Sequence, residues 1–177
     1  VSVYADGHGM KAEDFIRSAQ HVASVMGAPG LSVGERVLHS VEHTRRAVAC
    51  NTNLGIILLC APLAQAALRQ DGRPFRESVR TVLLELDVRD AELAYEAIRL
   101  ACPGGLGQSE RHDVHAAPTV TLLEAMAEAK DRDRIAYQYA SAYEDIFTLG
   151  VPCLEDALAY WRSEEWAAVT VYLAFLA

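Results

Sequence analysis

Three short stretches of the chain gather side chains that can bind or move charged groups. The first is Tyr4-Ala-Asp-Gly-His-Gly-Met10, where His8 sits between two glycines and Asp6 lies two residues before it. Glycines permit backbone angles that other residues avoid. Asp6 and His8 offer a carboxylate and an imidazole to a metal ion or a substrate, and a plain surface turn accounts for the same residues. The second is Asn51-Thr-Asn-Leu-Gly55, which opens a strongly apolar run. A helix N-terminus presents free N–H groups and the positive end of the dipole, and both attract phosphate. Asn51, Thr52 and Asn53 can hold such a group or cap the helix, and both roles stay open. Arg45 and Arg46 come about one turn earlier. They can reach a phosphate there or, with Glu42 and His43, form a solvated face.

The third stretch is Ala101 to Pro118. Three glycines occupy four positions in Pro103-Gly-Gly-Leu-Gly107, and Glu110, Arg111, His112, Asp113 and His115 follow. Successive backbone N–H groups in such a loop can cradle phosphate, with Gly104 and Gly105 as the candidates. A helix C-cap followed by a charged turn is the competing reading. The loop is not a G-x-x-x-x-G-K-[ST] phosphate loop, and no strand precedes it. His112 and His115 are three apart, but no third ligand for zinc is evident.

Helices must position these loops. Leu54 to Ala64 is apolar on every face, which marks a buried helix. It is too short for a bilayer, which needs about 20 residues. The expected fold is all-α, a multi-helix bundle around a buried central helix at about residues 53–69, with a kink at Pro62. Apolar spacing of three and four gives a helix from Ala12 to Met26. Ser32-Val-Gly-Glu35 is a capping box for a helix to about Ala49. Pro74, Asp87 and Thr121 open further helices, and Asp131 is the expected cap of one carrying Ile135, Tyr139, Tyr143 and Ile146. Gly150-Val-Pro152 is expected to stop that helix. No period-2 strand pattern and no internal repeat occurs.

With 177 residues and 51% hydrophobic content, the chain suits a single all-helical domain over residues 1–177. The net charge of −8 argues against a nucleic-acid binder, and no membrane span or signal peptide is found. Four dispersed cysteines without a C-x-x-C pair fit buried thiols in a reducing, cytoplasmic setting. Val1 is not an initiator, and Trp166 to Ala177 stops in mid-pattern, so a longer natural protein is expected at both ends.

Taken in order, these motifs resemble the triphosphoribosyl-dephospho-CoA synthase family. The carrying residues are Asp6-Gly-His-Gly-Met10 with Glu13-Asp-Phe15, Asn51-Thr-Asn-Leu-Gly55, and Pro103-Gly-Gly-Leu-Gly107 with Glu110. The resemblance implies an all-α transferase that moves the triphosphoribosyl group of ATP to dephospho-CoA and releases adenine. The family's central motif reads Asn-Thr-His-Lys-Gly, so a basic pair is replaced here by Asn53 and Leu54. Its Gly-x-Arg-Gly-Glu is matched only loosely. In this the chain is similar to a divergent branch associated with methanopterin-linked C1 metabolism, which implies another phosphoribosyl-type acceptor.

Transfer at an anomeric carbon separates charge, so it needs a cation for the phosphates, a carboxylate near C1′ and a base for the acceptor hydroxyl. The expected catalytic set is Asp6, His8, Glu110 and Asp113, with Asp6 and Glu110 also able to hold Mg2+. Arg45, Arg46, Asn51, Thr52, Asn53, Gly104, Gly105 and Arg111 are the expected substrate and phosphate contacts. The expected partners are ATP or another phosphoribosyl donor and dephospho-CoA or a related acceptor, with a homodimer left open. A nucleotide-binding protein without catalysis and a purely structural bundle are the competing classes.

Overall fold

Side chains start several of the helices in the way the sequence suggests. In a computed structural model that describes residues 6, 7, 9–104 and 106–177, Ser32, Asp87 and Thr121 each accept a backbone N–H three residues on. The acid at that position returns a bond to the cap's own N–H. These capping boxes open α2 (Val33–Val48), α5 (Val88–Ala101) and α6 (Leu122–Ala129). The remaining helices are α1 (Ala12–Met26), α3 (Leu54–Arg69), α4 (Phe75–Leu84), α7 (Arg134–Ala140), α8 (Val151–Trp161) and α9 (Glu164–Leu176). Among the described residues no strand forms, and the fold is all-α. No described helix is long and apolar enough to cross a membrane.

The core runs through α2, α3, α4 and α5, with Val37, Val41, Ile57, Ala61, Val79, Leu83 and Ala94 at its centre. The helix α3 packs against α2, α4 and α7, and α2 packs against α1 and α5. Although α3 is apolar on every face, it is not covered on every face. Ile56 is 59% exposed, and Cys60 and Leu68 are exposed too. Cys102 is also exposed, and Cys50 and Cys153 are half-buried. The thiols are therefore free but not buried: Cys60 lies on the outer side of α3, and Cys50 and Cys102 lie just beyond the ends of α2 and α5.

Pro62 has no N–H to give to the carbonyl of Leu58 one turn before it. Tyr139 supplies the missing donor: its hydroxyl donates to that carbonyl at 2.7 Å, and Tyr143 donates to the carbonyl of Leu59 at 2.7 Å. Burial pushes both phenols above their ordinary range, so both remain O–H donors.

Two sequence expectations are corrected beyond α6. Asp133, not Asp131, caps α7, because its carboxylate accepts the N–H groups of Ile135 and Ala136. The helix also ends at Ala140, where Ala142 and Tyr143 take left-handed backbone angles. A π-helical turn at Ile146–Gly150 then runs directly into α8. Gly150 and Pro152 continue this helix rather than stop it, since proline is tolerated in a first turn.

Polar groups fix the frame. Asp90 accepts bonds from the Gly34 N–H at 2.7 Å and the Ser32 hydroxyl at 2.8 Å, joining the starts of α2 and α5. A Cβ on Gly34 would lie 2.7 Å from the Cα of Asp90. The Gly34→Ala substitution is therefore expected to destabilise the protein by about 1–3 kcal/mol in urea unfolding. An unchanged unfolding midpoint would show that α2 and α5 are not held this closely.

Candidate functional site

Pro103 to Pro118 connects α5 to α6 and folds back over a gap between α3, α5, α6 and α7. The gap is a cavity of about 560 Å3. Its floor is apolar: Leu54, Leu58, Ile98, Leu122, Met126 and Ile135. Its mouth is polar: Asn51, Ser109, Arg111, His112, Asp113, Arg132 and Asp133. An apolar pocket with a few convergent polar groups is the usual form of a small-molecule site. Ile135 meets α3 at Gly55, where a Cβ would stand 3.1 Å from the Ile135 Cδ1. Gly55 thus lets α7 close one wall of the cavity.

Hydrogen bonds from the neighbouring helices hold the connecting loop in place. The Tyr95 hydroxyl donates to the His112 carbonyl at 2.7 Å, and Arg99 donates to the Val114 carbonyl. Arg132 donates to the Ser109 hydroxyl at 3.0 Å, and Arg111 pairs with Glu128 at 3.7 Å. Within the loop, Asp113 accepts the N–H groups of Ser109 at 2.7 Å and His115 at 2.8 Å. These two bonds hold the Asp113 carboxyl below its ordinary range. Burial, with a smaller contribution from the Asp113 charge, raises the Tyr95 phenol. His112 has a left-handed backbone (φ 51), uncommon for a residue other than glycine. The expected glycine C-cap of α5 is absent: Cys102 takes that left-handed position (φ 47).

Asn51, Gly104, Arg111 and Asp113 all line the cavity, drawn together from two of the three stretches. Asn51 also caps α3, since its side-chain oxygen accepts the Leu54 N–H at 3.1 Å. Thr52 and Asn53 face the helix packing instead. The Thr52 hydroxyl is 2.7 Å from the buried Ser18 hydroxyl, and the Asn53 oxygen accepts from Thr44 at 3.0 Å. Arg45 and Arg46 are exposed at the end of α2, where Arg46 pairs with Glu42, and neither lines the cavity. Asp6 and Glu110 are exposed and do not line it either. His8 and Gly105 lie outside the described residues. Around His8, Gly7 and Met10 exchange two backbone bonds, and Gly9 has φ +73.

Tyr95, Arg132 and Asp133 belong to the site but do not stand out in the sequence. Each sits in an ordinary helical or capping pattern, and only tertiary packing brings it to the cavity. Among the described residues no three His, Cys, Asp or Glu side chains cluster as a metal site.

The model of one protein family, described as ATP:dephospho-CoA triphosphoribosyl transferase (CitG), matches residues 1–177. The chain belongs to this family. It is therefore a member of a transferase family whose substrates are ATP and dephospho-CoA. No curated protein and no solved structure gave a match.

For this transferase, the two bonds of Asp113 set the pH response of the loop. A lowered folded-state pKa stabilises above the ordinary carboxylate range, and that contribution is lost as pH falls through the lowered value. Protection factors of the Ser109 and His115 amides are therefore expected to stay level from pH 7 to pH 5 and to drop only below about pH 4. The Asp113→Ala variant is expected to lose roughly tenfold of that protection at pH 7. Equal protection in both proteins would show that Asp113 does not hold the loop.

Proposed function

We propose that the cavity beneath the loop is the donor site of a triphosphoribosyl transfer from ATP to dephospho-CoA. The observation that carries this reading is the cavity's division into an apolar floor and a polar mouth that holds two arginines and two aspartates. Leu54, Leu58, Ile98 and Met126 give a dry surface suited to an adenine ring. Arg111 and Arg132 stand at the mouth with the loop's backbone N–H groups, as a polyphosphate requires. The family membership supplies the reaction.

In that reaction the acceptor hydroxyl oxygen bonds to C1′ of the ribose as the C1′–N9 bond to adenine breaks. The bonding pair leaves with adenine, which gains a proton at N9, and the hydroxyl proton passes to a base. Asp113 is ionised at neutral pH and lines the cavity, so its negative charge favours positive charge developing at C1′. His112, beside it, also lines the cavity, and its imidazole is the candidate acceptor of the hydroxyl proton. Asn51 keeps its amide N–H groups for a sugar hydroxyl, because only its oxygen is used in capping α3.

Mg2+ suits this donor set as an ion carried by the triphosphate. Asp113 and Asp133 are the described carboxylates that line the cavity, and each retains free lone pairs. One or two carboxylates plus phosphate oxygens are a usual Mg2+ environment. Bound there, the ion would neutralise phosphate charge. Asp6, Glu110 and His8 remain candidates for the acceptor side.

One observation favours a second reading for the acceptor. Leu54 lines the cavity at the position where the resemblance expects a lysine, and Asn53 is tied to Thr44. The local positive charge then rests on Arg111 and Arg132, which suits a donor or acceptor other than the family's usual pair. A phosphoribosyl-type transfer in C1-cofactor synthesis meets that description.

Adenine release from ATP is the decisive assay. Release that depends on dephospho-CoA is expected, and Arg111→Ala and Arg132→Ala should each lower kcat/KM for ATP by about tenfold or more. No adenine release from ATP and no pyrophosphate release from phosphoribosyl pyrophosphate, with any acceptor, would overturn the transferase assignment at this cavity. Unchanged kinetics in both arginine variants would move the donor site elsewhere.

A further inference from the structure

Two side chains of α5, one helical turn apart, bracket a single residue of the cavity loop. Tyr95 is 3% exposed, and its hydroxyl donates to the His112 carbonyl at 2.7 Å. Arg99, on the next turn, donates to the Val114 carbonyl. Asp113 lies between the two clamped carbonyls. Its own carboxylate is tied as well: Oδ2 accepts the Ser109 N–H and Oδ1 the His115 N–H. His112, Asp113 and Val114 all line the cavity. The His112 backbone is left-handed, with φ 51. Among the described residues, such angles at Ala49, Gln70, Cys102 and Arg162 belong to helix ends, where they are usual. Those at Ala142 and Tyr143 belong to the bend after α7. His112 lies in mid-loop, and where the same loop needs only a turn it uses a glycine, Gly107, with φ 68.

We infer that Tyr95 is a positioning residue for the transfer: its hydroxyl holds His112 in the left-handed conformation and so sets the Asp113 carboxylate and the His112 imidazole at the cavity, with Arg99 as the second pin. The inference rests on the cavity being the donor site. A strained backbone angle persists only where its surroundings over-determine it, and such strain collects at functional sites. Glycine would supply this turn without strain. The chain keeps an imidazole there instead and supplies the turn from α5. The Tyr95 hydroxyl acts through its neighbour and not on the substrate, because its single proton is given to the His112 carbonyl. Two pins are needed for a geometric reason. The chain turns about two soft dihedrals per residue, so one fixed carbonyl leaves Asp113 free to swing. Fixing the carbonyls on both sides removes that freedom. A reacting group misplaced by about 1 Å can lose on the order of 100-fold in rate. The effect falls on the chemical step, since Arg132 stands outside the loop and Arg111 is braced by Glu128 of α6.

The test is Tyr95→Phe, which removes one oxygen and leaves the buried ring, made in the full chain and again in a His112→Gly background. Exchange of the Ser109 and His115 amides reads the placement of Asp113 without any turnover. Tyr95→Phe is expected to lower their protection about tenfold. In the His112→Gly background the drop is expected to be at most about twofold, because glycine takes the angle unaided. Arg99 is exposed, so Arg99→Ala folds whatever the fate of the buried ring. It is expected to lower the same protection, and Arg99→Lys to restore it. In the transfer assay, Tyr95→Phe is expected to lower kcat about tenfold or more with KM for ATP unchanged. Equal loss of protection in both backgrounds would mean that the hydroxyl merely tethers the loop, and would overturn the inference. An unchanged kcat in Tyr95→Phe beside a lowered one in Asp113→Ala would also overturn it, and would leave the donor site in place. No turnover in the unmodified protein, or turnover indifferent to Asp113→Ala, would remove the donor-site reading and this inference with it.

Discussion

The site depends on how α7 is fastened to α3, and that fastening starts from a missing hydrogen bond. Pro62 leaves the Leu58 carbonyl without its helical donor in the middle of the core. An unmatched buried acceptor costs about 1–3 kcal/mol. Tyr139 removes that cost by donating to the Leu58 carbonyl, and Tyr143, just beyond the end of α7, donates to the neighbouring Leu59 carbonyl. Because a hydrogen bond is short and directional, the two tyrosines fix the register of α7 along α3 as well as its distance. Ile135 then comes against Gly55, and Asp133 and Ala136 reach the cavity wall. A proline that would only weaken an isolated helix thus becomes the anchor point for one side of the site.

Buried charge holds the opposite side in the same manner. Arg36 is fully buried, and its guanidinium donates to the carbonyls of Val25, Met26, Ala28 and Leu31 and to the Gln65 side chain. It ties the end of α1 and the following turn to α2 and α3. Burial lowers its pKa, but a guanidinium stays charged, and the carbonyls at a helix C-terminus are the partially negative groups that suit it. Asp90 does the complementary work at the other end of α2, where backbone and hydroxyl donors from α2 and α5 surround its carboxylate. Most of these contacts use fixed backbone groups, with the Gln65 amide and the Ser32 hydroxyl as the side-chain partners. They hold α2, α3 and α5 rigidly, and the loop beneath Tyr95 and Arg99 is built on that base.

Local chemistry accounts for what was legible in the sequence. The capping boxes at Ser32, Asp87 and Thr121 are short-range patterns, and each appears where it was expected. The motif Asn51-Thr-Asn marks the start of α3 for the same reason, although Asn51 rather than the adjacent Asn53 makes the capping bond. Legibility ends where distant residues meet. Nothing near Arg132 suggests Ser109, and nothing near Tyr95 suggests His112, because these contacts exist only after α5, α6 and α7 have packed. Arg36 reads as an ordinary charged helix residue, yet it is buried. The break at Ala142 and Tyr143 was hidden because apolar spacing continues through it, while the two tyrosine hydroxyls require a different backbone path. Exposed Cys60 and Ile56 show the converse: an apolar sequence predicts burial only where a neighbour is present to cover it.

The central claim is that one cavity, bounded by α3, α5, α6, α7 and their loop, receives the nucleotide. Photolabelling with 8-azido-ATP in the presence of Mg2+, followed by peptide mapping, examines it directly. The label is expected within residues 51–58, 95–114 and 122–136, and excess ATP should suppress it. Competable labelling confined to the end of α2 around Arg45 and Arg46, or to the α8–α9 hairpin, would contradict this placement of the donor site.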